Sequence, residues 1–340
     1  MRRESTRVWT STQGSFRFVE SVSNNAILIC RVLLPAGRDL LAEAGYELRE
    51  GGPDATPEEL LARAHGCAAI VADPTVAIGP EILDAAGPEL RVVANFAVGY
   101  DNVDLGACRE RGVVVTNTPG VLTNATAELA LGLTVAAARR AREAEDTLRA
   151  GNWTGWDPGA MLGLELSGAT FGIVGLGRIG RRYAELVRPL AGTLLYAAQS
   201  AKPDAEADLG ADRVELGELL ERSDVVSLHA PGGDATRHLI GRDELGMMQA
   251  HAILVNTARG TLVDSAALAE ALGAGHIGAA GLDVYEREPG VPRELIEAPR
   301  CVLLPHIGSA TGKARDGMAA LAARNAISVL EGEAPLNPVS

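Results

Sequence analysis

Short apolar runs alternate with amphipathic segments along this chain from residue 26 onward, and the alternation predicts its architecture. Residues 26 to 30 (AILIC) read as a strand, 35 to 44 as a helix and 46 to 49 as a second strand. Pro57 opens a helix that runs to about His65, the apolar run 68 to 72 follows, and a helix at 80 to 86 leads into a strand at 90 to 95. VVVTN at 113 to 117 closes a small α/β domain. A second series places strands near 171 to 174, 193 to 197, 224 to 228, 252 to 256, 278 to 282 and 301 to 304. Helices at 178 to 190, 215 to 222, 242 to 249 and 264 to 273 fill most of the intervals. Each strand is brief and apolar, as a parallel sheet covered on both faces requires. The order is that of a doubly wound nucleotide-binding domain.

Two long helices complete the pattern. Residues 125 to 150 predict a single helix, capped by Thr123 or Asn124 and weakened only at Gly132, that bridges the two domains. Residues 311 to 330 predict an amphipathic, alanine-rich helix that returns to the first domain. Two crossings of this kind leave a cleft suited to hinge closure around a ligand. After the first helix, 151 to 168 (GNWTGWDPGAMLGLELSG) has no steady period. Exposing Trp153, Trp156, Met161 and Leu162 to water is costly, so the segment reads as an arm reaching another subunit or as a loop folded onto its own domain.

At 340 residues the chain is long enough for two cores, and its formal net charge of -13 bounds its partners. That charge argues against a broad basic face for nucleic acid and against an anionic membrane, while a locally positive pocket for a small anion is still allowed. No run approaches the 18 or so apolar residues of a membrane span, and the apolar stretch 26 to 34 is interrupted by Arg31, so no secretory signal is read. Cys30, Cys67, Cys108 and Cys301 are widely separated with no CxxC pair, which suggests a reducing, cytoplasmic location with neither zinc site nor disulfide framework.

Candidate chemistry gathers at the predicted strand ends. GIVGLGRIG (172 to 180) supplies G-x-G-x-x-G where a strand turns into a helix. Gly175 permits the tight turn, Gly177 lets the backbone approach a pyrophosphate, and Gly180 lets the helix pack on the strands. Arg259, Glu288 and His306 each lie just beyond a strand's carboxyl end, where this fold places ligands. An arginine can grip the carboxylate of an α-keto acid through two parallel bonds and polarise its ketone. A histidine can deliver the proton that accompanies hydride transfer, and a neighbouring glutamate would orient it and favour its charged form. Each residue alone has a plain structural reading: a cap ion partner, a loop charge beside Pro289, a core-edge imidazole. Three at successive strand ends favour catalysis. His229, in SLHAPGG, reads as lining the cofactor cleft, supporting the site, or shaping the loop. His65, His238, His251 and His276 read as structural or exposed, and no cluster has metal-binding spacing.

Several further motifs in order carry a resemblance: NFAVGYDNVDL (95 to 105), VTNTPGVLTNATAELALGL (115 to 133), SDVVSLHAP (223 to 231), VNTARGTLVD (255 to 264), GAAGLDVYEREP (278 to 289) and LLPHIGSAT (303 to 311). With the glycine motif they make the chain similar to the D-isomer-specific 2-hydroxyacid dehydrogenases, glyoxylate/hydroxypyruvate reductase branch, over about residues 26 to 338. The resemblance implies a doubly wound dinucleotide-binding domain at 123 to 309 and a smaller flavodoxin-like α/β substrate-binding domain from 26 to 122 and 310 to 338. Residues 1 to 25 are then an extension, disordered or read from an upstream start codon. The family's catalytic residues fall on Arg259, Glu288 and His306. The backbone at Val98 and Gly99 should receive the substrate carboxylate, with Arg259 and His306 beside it. The cofactor is expected at Thr126, at Gly175, Leu176, Gly177, Arg178, Ile179 and Gly180, and at His229, Ala230, Pro231 and Thr236. Thr257, Ala258, Arg259, Asp283, His306 and Gly308 complete that expectation.

The family is usually homodimeric, and Trp156 resembles a residue that some members insert into the partner's substrate site. The implied reaction moves a hydride between NAD(P)H and a small anionic 2-keto or 2-hydroxy acid, glyoxylate or hydroxypyruvate foremost. An NAD-dependent 3-phosphoglycerate dehydrogenase, a broad D-2-hydroxyacid dehydrogenase and a dinucleotide-sensing interaction protein are the alternatives. One departure bears on the cofactor. LLYAAQSAK (194 to 202) carries no Asp or Glu for a ribose 2'-hydroxyl, which inclines the reading from NAD towards NADP, with Ser200 and Lys202 as phosphate contacts in place of the usual arginines.

Overall fold

The protein is described by a computed structural model over Val8–Thr12, Ser15–Val19 and residues 25 to 339. The sequence reading placed no element before residue 26, yet β1 (Val8–Thr12) and β2 (Ser15–Val19) pair antiparallel. The rest of the expected 1 to 25 extension lies outside the described residues.

The chain divides into two compact units, one formed by residues up to Thr118 together with Met318 onward, the other by Pro119–Gly317. The first unit contains β3 (Ala26–Ile29), α1 (Pro35–Glu43), β4 (Glu47–Glu50), α2 (Pro57–Ala64), β5 (Ala69–Ala72), α3 (Pro80–Ala86), β6 (Val92–Asn95), α4 (Leu105–Glu110) and β7 (Val114–Thr116). These five strands form one all-parallel sheet in the order β4-β3-β5-β6-β7. That is the flavodoxin-like order, in which the first crossover reverses and the rest continue in one direction. Helix starts follow local chemistry: proline opens α1, α2 and α3, and Thr56 with Glu59 forms a capping box on α2. Helix α4, absent from the sequence reading, is too short to show a period; Asp104 caps it by accepting from the Ala107 amide at 2.9 Å.

The second unit begins with α5 (Thr123–Ala138) and α6 (Ala141–Arg149). These correct the expectation of one helix from 125 to 150 bridging two domains, because both belong to the second unit and the chain breaks at Arg140, whose φ is +53°. Helix α5 buries Ala125, Ala127, Ala130, Ala137 and Ala138, whereas α6 buries no residue, so nothing is lost when the helix turns aside. Nor do Thr123 or Asn124 cap it: the N-cap is Leu122, without a side-chain bond. The unit continues through β8 (Thr170–Val174), α7 (Arg178–Val187), β9 (Thr193–Ala197), α8 (Pro203–Leu209), β10 (Ala211–Arg213), α9 (Leu216–Arg222) and β11 (Val225–Leu228). It closes with α10 (Arg242–Met247), β12 (Ile253–Asn256), α11 (Ser265–Ala274), β13 (Ala279–Leu282), α12 (Arg293–Glu297) and β14 (Cys301–Leu303).

Seven parallel strands are ordered β10-β9-β8-β11-β12-β13-β14, the doubly wound arrangement with its switch point between β8 and β11. Alternate residues of these strands, such as Leu194 and Leu195, enter different apolar clusters, as a sheet covered on both faces demands. Helix α13 (Gly312–Leu330) ends the helical inventory. It was expected to be amphipathic, and the residues it buries from Met318 onward, Ala319, Ala322, Ala323, Asn325 and Ala326 among them, recur at helical spacing while Arg324 on the other side is exposed. Small residues allow that enclosure: a Cβ on Gly37 of α1 would fall 2.4 Å from the Ala319 carbonyl oxygen.

Candidate active site

The carboxyl ends of β12, β13 and β14 carry the three residues singled out from the sequence. Arg259 follows β12 and is positioned through its backbone: Asn256 donates from Nδ2 to the Arg259 carbonyl at 2.8 Å and accepts the Ala258 amide at 3.0 Å. The Arg259 Nη1 donates to the Ala258 carbonyl at 2.7 Å. Next in sequence, Gly260 lies so close to the Tyr285 backbone that a Cβ would meet its carbonyl carbon at 1.9 Å. The loops after β12 and β13 are therefore packed backbone to backbone.

Glu288 and His306 come together. The Glu288 Oε2 meets the His306 Nδ1 at 2.6 Å, and Oε1 accepts the Tyr285 amide at 2.9 Å. Burial would raise the Glu288 carboxyl, but the bonds from His306 and Tyr285, with the charges of His306 and Arg259, outweigh it and leave it below its ordinary value. With Nδ1 engaged, the distal nitrogen of His306 is the one left to meet a ligand. His306 sits at φ +53°, in the left-handed region that non-glycine residues seldom adopt.

Asp283, fully buried, fixes the histidine segment from behind. Its two oxygens accept the Ile307 amide at 2.8 Å and the Gly308 amide at 2.7 Å. Desolvation raises its carboxyl despite those two bonds. Thr126, near the start of α5, adds a bond from Oγ1 to the Gly308 carbonyl at 3.2 Å. Sequence reading assigned no role to Asn256, Gly260 or Tyr285; their signal was present only as unassigned members of VNTARG and LDVYEREP.

The glycine motif spans the end of β8 and the start of α7. Gly175 has φ +92°, and a Cβ there would meet the Ala230 amide nitrogen at 2.7 Å. A Cβ on Gly180 would fall 2.1 Å from the Gly175 carbonyl oxygen. Gly177 differs: it caps α7 without a side-chain bond, and the space before it is open to 4 Å. Arg178 and Ile179 continue the first turn, whose amides have no intrahelical partner. Across the switch point, the Thr257 hydroxyl is buried with no partner among the described residues. Pro231 accepts from Thr236 Oγ1 at 2.8 Å, which shapes the neighbouring loop. An open glycine before a bare helix start and an orphaned hydroxyl fit a polyanionic ligand such as a dinucleotide.

His229 is packed against the Tyr183 ring at a centroid distance of 5.2 Å, and its Nε2 lies 2.9 Å from Ser227 Oγ. Burial pushes it down to about 3, so the imidazole is neutral at physiological pH. Beyond β9, Lys202 Nζ donates to Ser200 Oγ at 3.1 Å. A cavity of about 160 Å³ opens beside them, lined by Leu176, Arg181, Lys202 and Asp204 among others. Arg181 was missed from sequence because it comes from α7 rather than from the β9 loop; it is ion-paired to Asp208 at 2.5 Å. In the 151 to 168 segment Trp156 is 85% exposed and Leu162 70%, whereas Leu164 and Leu166 pack against the second unit's core and the Leu164 amide donates to the Ala138 carbonyl at 2.9 Å, so only the earlier part stands off its own chain. Val98 and Gly99 belong to the first unit, in the loop after β6. Among the described residues, no group of His, Cys, Asp and Glu could hold a metal ion.

Comparison with known proteins bears on these positions. Residues 131 to 308 match the sequence model of the family described as D-isomer specific 2-hydroxyacid dehydrogenase, NAD binding domain. A glyoxylate reductase of Thermococcus litoralis is 46% identical over 293 residues, covering 85% of this chain and 88% of the relative. Among solved structures, a Thermus thermophilus protein superposes with a TM-score of 0.87 at 44% identity, covering 93% of this chain and all of that one. The NADPH-dependent glyoxylate/hydroxypyruvate reductase of Sinorhizobium meliloti, solved with NADP and malonate, gives 0.82 at 34% identity over 93% of this chain and 97% of its own.

Proposed function

Because the chain belongs to the D-isomer specific 2-hydroxyacid dehydrogenase family, we propose that it is an oxidoreductase reducing glyoxylate or hydroxypyruvate with NAD(P)H. The observation that carries this reading is the 2.6 Å bond between Glu288 and His306, with the charge of Arg259 close enough to favour the Glu288 carboxylate. A guanidinium, an imidazole and an orienting carboxylate are what reduction of a keto acid asks of a protein.

In the proposed mechanism Arg259 holds the substrate carboxylate and draws electron density from the ketone oxygen. His306, fixed through Nδ1 by Glu288, gives its distal proton to that oxygen; in the oxidative direction the neutral ring takes the proton back. The reduced nicotinamide, when bound, supplies the hydride. Asp283 keeps the His306 backbone in place through Ile307 and Gly308. Gly177 and the amides that start α7 would receive the pyrophosphate, with Thr257, Thr126 and the 229 to 231 turn along the dinucleotide. Val98 and Gly99 are proposed to hold the carboxylate through their amides.

NADP is the proposed cofactor over NAD. Lys202 and Arg181 line the cavity beyond β9, with Ser200 bonded to Lys202, and no acidic residue follows the strand directly, although Asp204 also lines the cavity. The exposed Trp153, Trp156 and Leu162 support a homodimer in which this arm is covered by the second copy. Four free, buried cysteines support a cytoplasmic location. Steady-state rates for glyoxylate, hydroxypyruvate, pyruvate and 3-phosphohydroxypyruvate against NADH and NADPH test the reading. Fastest turnover of the phosphorylated substrate, or none with any keto acid, overturns it.

A further inference from the structure

The loop after β6 is held in an unusual way. Three successive carbonyls, those of Ala97, Val98 and Gly99, are each engaged by the first unit: Ala97 by the Thr118 amide at 2.9 Å, Val98 by Asn117 Nδ2 at 2.7 Å and Gly99 by Asn95 Nδ2 at 2.7 Å. In a trans peptide the carbonyl and the next N–H point in opposite directions. Anchoring three carbonyls in a row therefore turns the amides of Val98, Gly99 and Tyr100 away from their anchors. Among the described residues none of these amides has a protein acceptor. Consecutive unpaired amides form a concavity that suits an anion.

The two asparagines are themselves held. Asn95 is fully buried, and its Oδ1 accepts from Asn102 Nδ2 at 3.3 Å; that nitrogen also reaches the Asp73 and Val76 carbonyls at 3.1 Å. Asn117 is tied at its backbone, where its carbonyl accepts from Asn325 Nδ2 of α13 at 3.2 Å and its amide donates to the Asn337 carbonyl at 3.2 Å. Asn325 Oδ1 in turn accepts the Asn337 amide at 3.0 Å. The chain's last turn, bridged to β7 through Thr116 and Pro338, thus braces the residue that braces the loop. A carboxamide suits this work: it donates to a carbonyl without adding a charge beside an anion.

We propose that Asn117 and Asn95 are positioning residues that aim the Val98, Gly99 and Tyr100 amides so that they form a preset seat for the keto acid's carboxylate. The proposal rests on the 2-keto acid reading above, and adds to it the residues that set the seat.

Asn117→Ala and the near-isosteric Asn117→Leu, made in the full chain and assayed at saturating NADPH, remove one anchor. The glyoxylate KM is expected to rise about tenfold, the loss when one charge-assisted hydrogen bond is misaligned, with kcat changed far less. The NADPH KM stays at the wild-type value, and the inhibition constant of oxalate rises in parallel with the glyoxylate KM. An unchanged glyoxylate KM overturns the proposal, and so does an equal rise in both KM values, the mark of general loosening. In the wild-type protein, adding oxalate with NADP should slow amide exchange at Gly99 and Tyr100; no slowing overturns the proposal even if neither variant folds. A wild-type chain that turns over no 2-keto acid removes the functional reading instead, a failure seen before any variant is made.

Discussion

Replacing Gly260 by alanine puts a methyl group into the contact that joins the Arg259 loop to the Glu288 loop. The new Cβ would lie 1.9 Å from the Tyr285 carbonyl carbon, 2.2 Å from its oxygen and 2.4 Å from its Cα. All three are backbone atoms, so no side-chain rotation relieves the clash. The loops must part by about 1.5 Å, the gap between that contact and an ordinary 3.4 Å one. Arg259 is the preceding residue, and Tyr285 supplies the amide that holds Glu288, so both sides of the proposed centre shift. Misplacement on the scale of 1 Å costs roughly a hundredfold in rate, and overpacking costs about 1–3 kcal/mol. Gly260→Ala should therefore lower kcat/KM for glyoxylate by roughly a hundredfold. Its Tm should fall by several degrees. Steady-state kinetics beside a thermal melt read both quantities. A variant with kcat/KM within about threefold of wild type would refute the claim that this backbone contact sets the catalytic geometry.

The remaining expectations are simpler. Arg259→Ala and His306→Ala should each lower turnover by at least roughly a hundredfold, and near-wild-type rates in both would end the proposed mechanism. Glu288 has a lowered carboxyl, so the stability it contributes is present above the ordinary glutamate value and lost as pH falls through its lowered folded value. Glu288→Gln should flatten that part of the acid limb in a Tm-versus-pH series and move the pH profile of glyoxylate reduction to lower pH; two superimposable profiles would count against the assignment. Gly177→Ala meets no atom within 4 Å, so its Tm should hardly change while the NADPH KM rises about tenfold from lost pyrophosphate approach. An unaltered NADPH KM would show that the pyrophosphate does not pass there.

Much of this protein is written locally. Apolar runs of four or five residues, each followed by a helix start such as Pro57 or Asp264, determine where strands and helices lie, because burial on both faces and end-capping depend on neighbours along the chain. The spacing of Gly175, Gly177 and Gly180, and the placement of Arg259, Glu288 and His306 just past strands, were legible for the same reason. Local pattern failed at Arg140, where a helical run breaks because its later part buries nothing. At α13 the alanine stripe was legible, while the close seat of Gly37 against Ala319 was not. Only the tertiary structure decided which loops touch: Gly260 against Tyr285, Arg181 beside Lys202, and Asn117 and Asn95 on consecutive carbonyls of one loop. Those contacts follow from the order of strands in the sheets, and crossovers bring together residues that no sequence period relates.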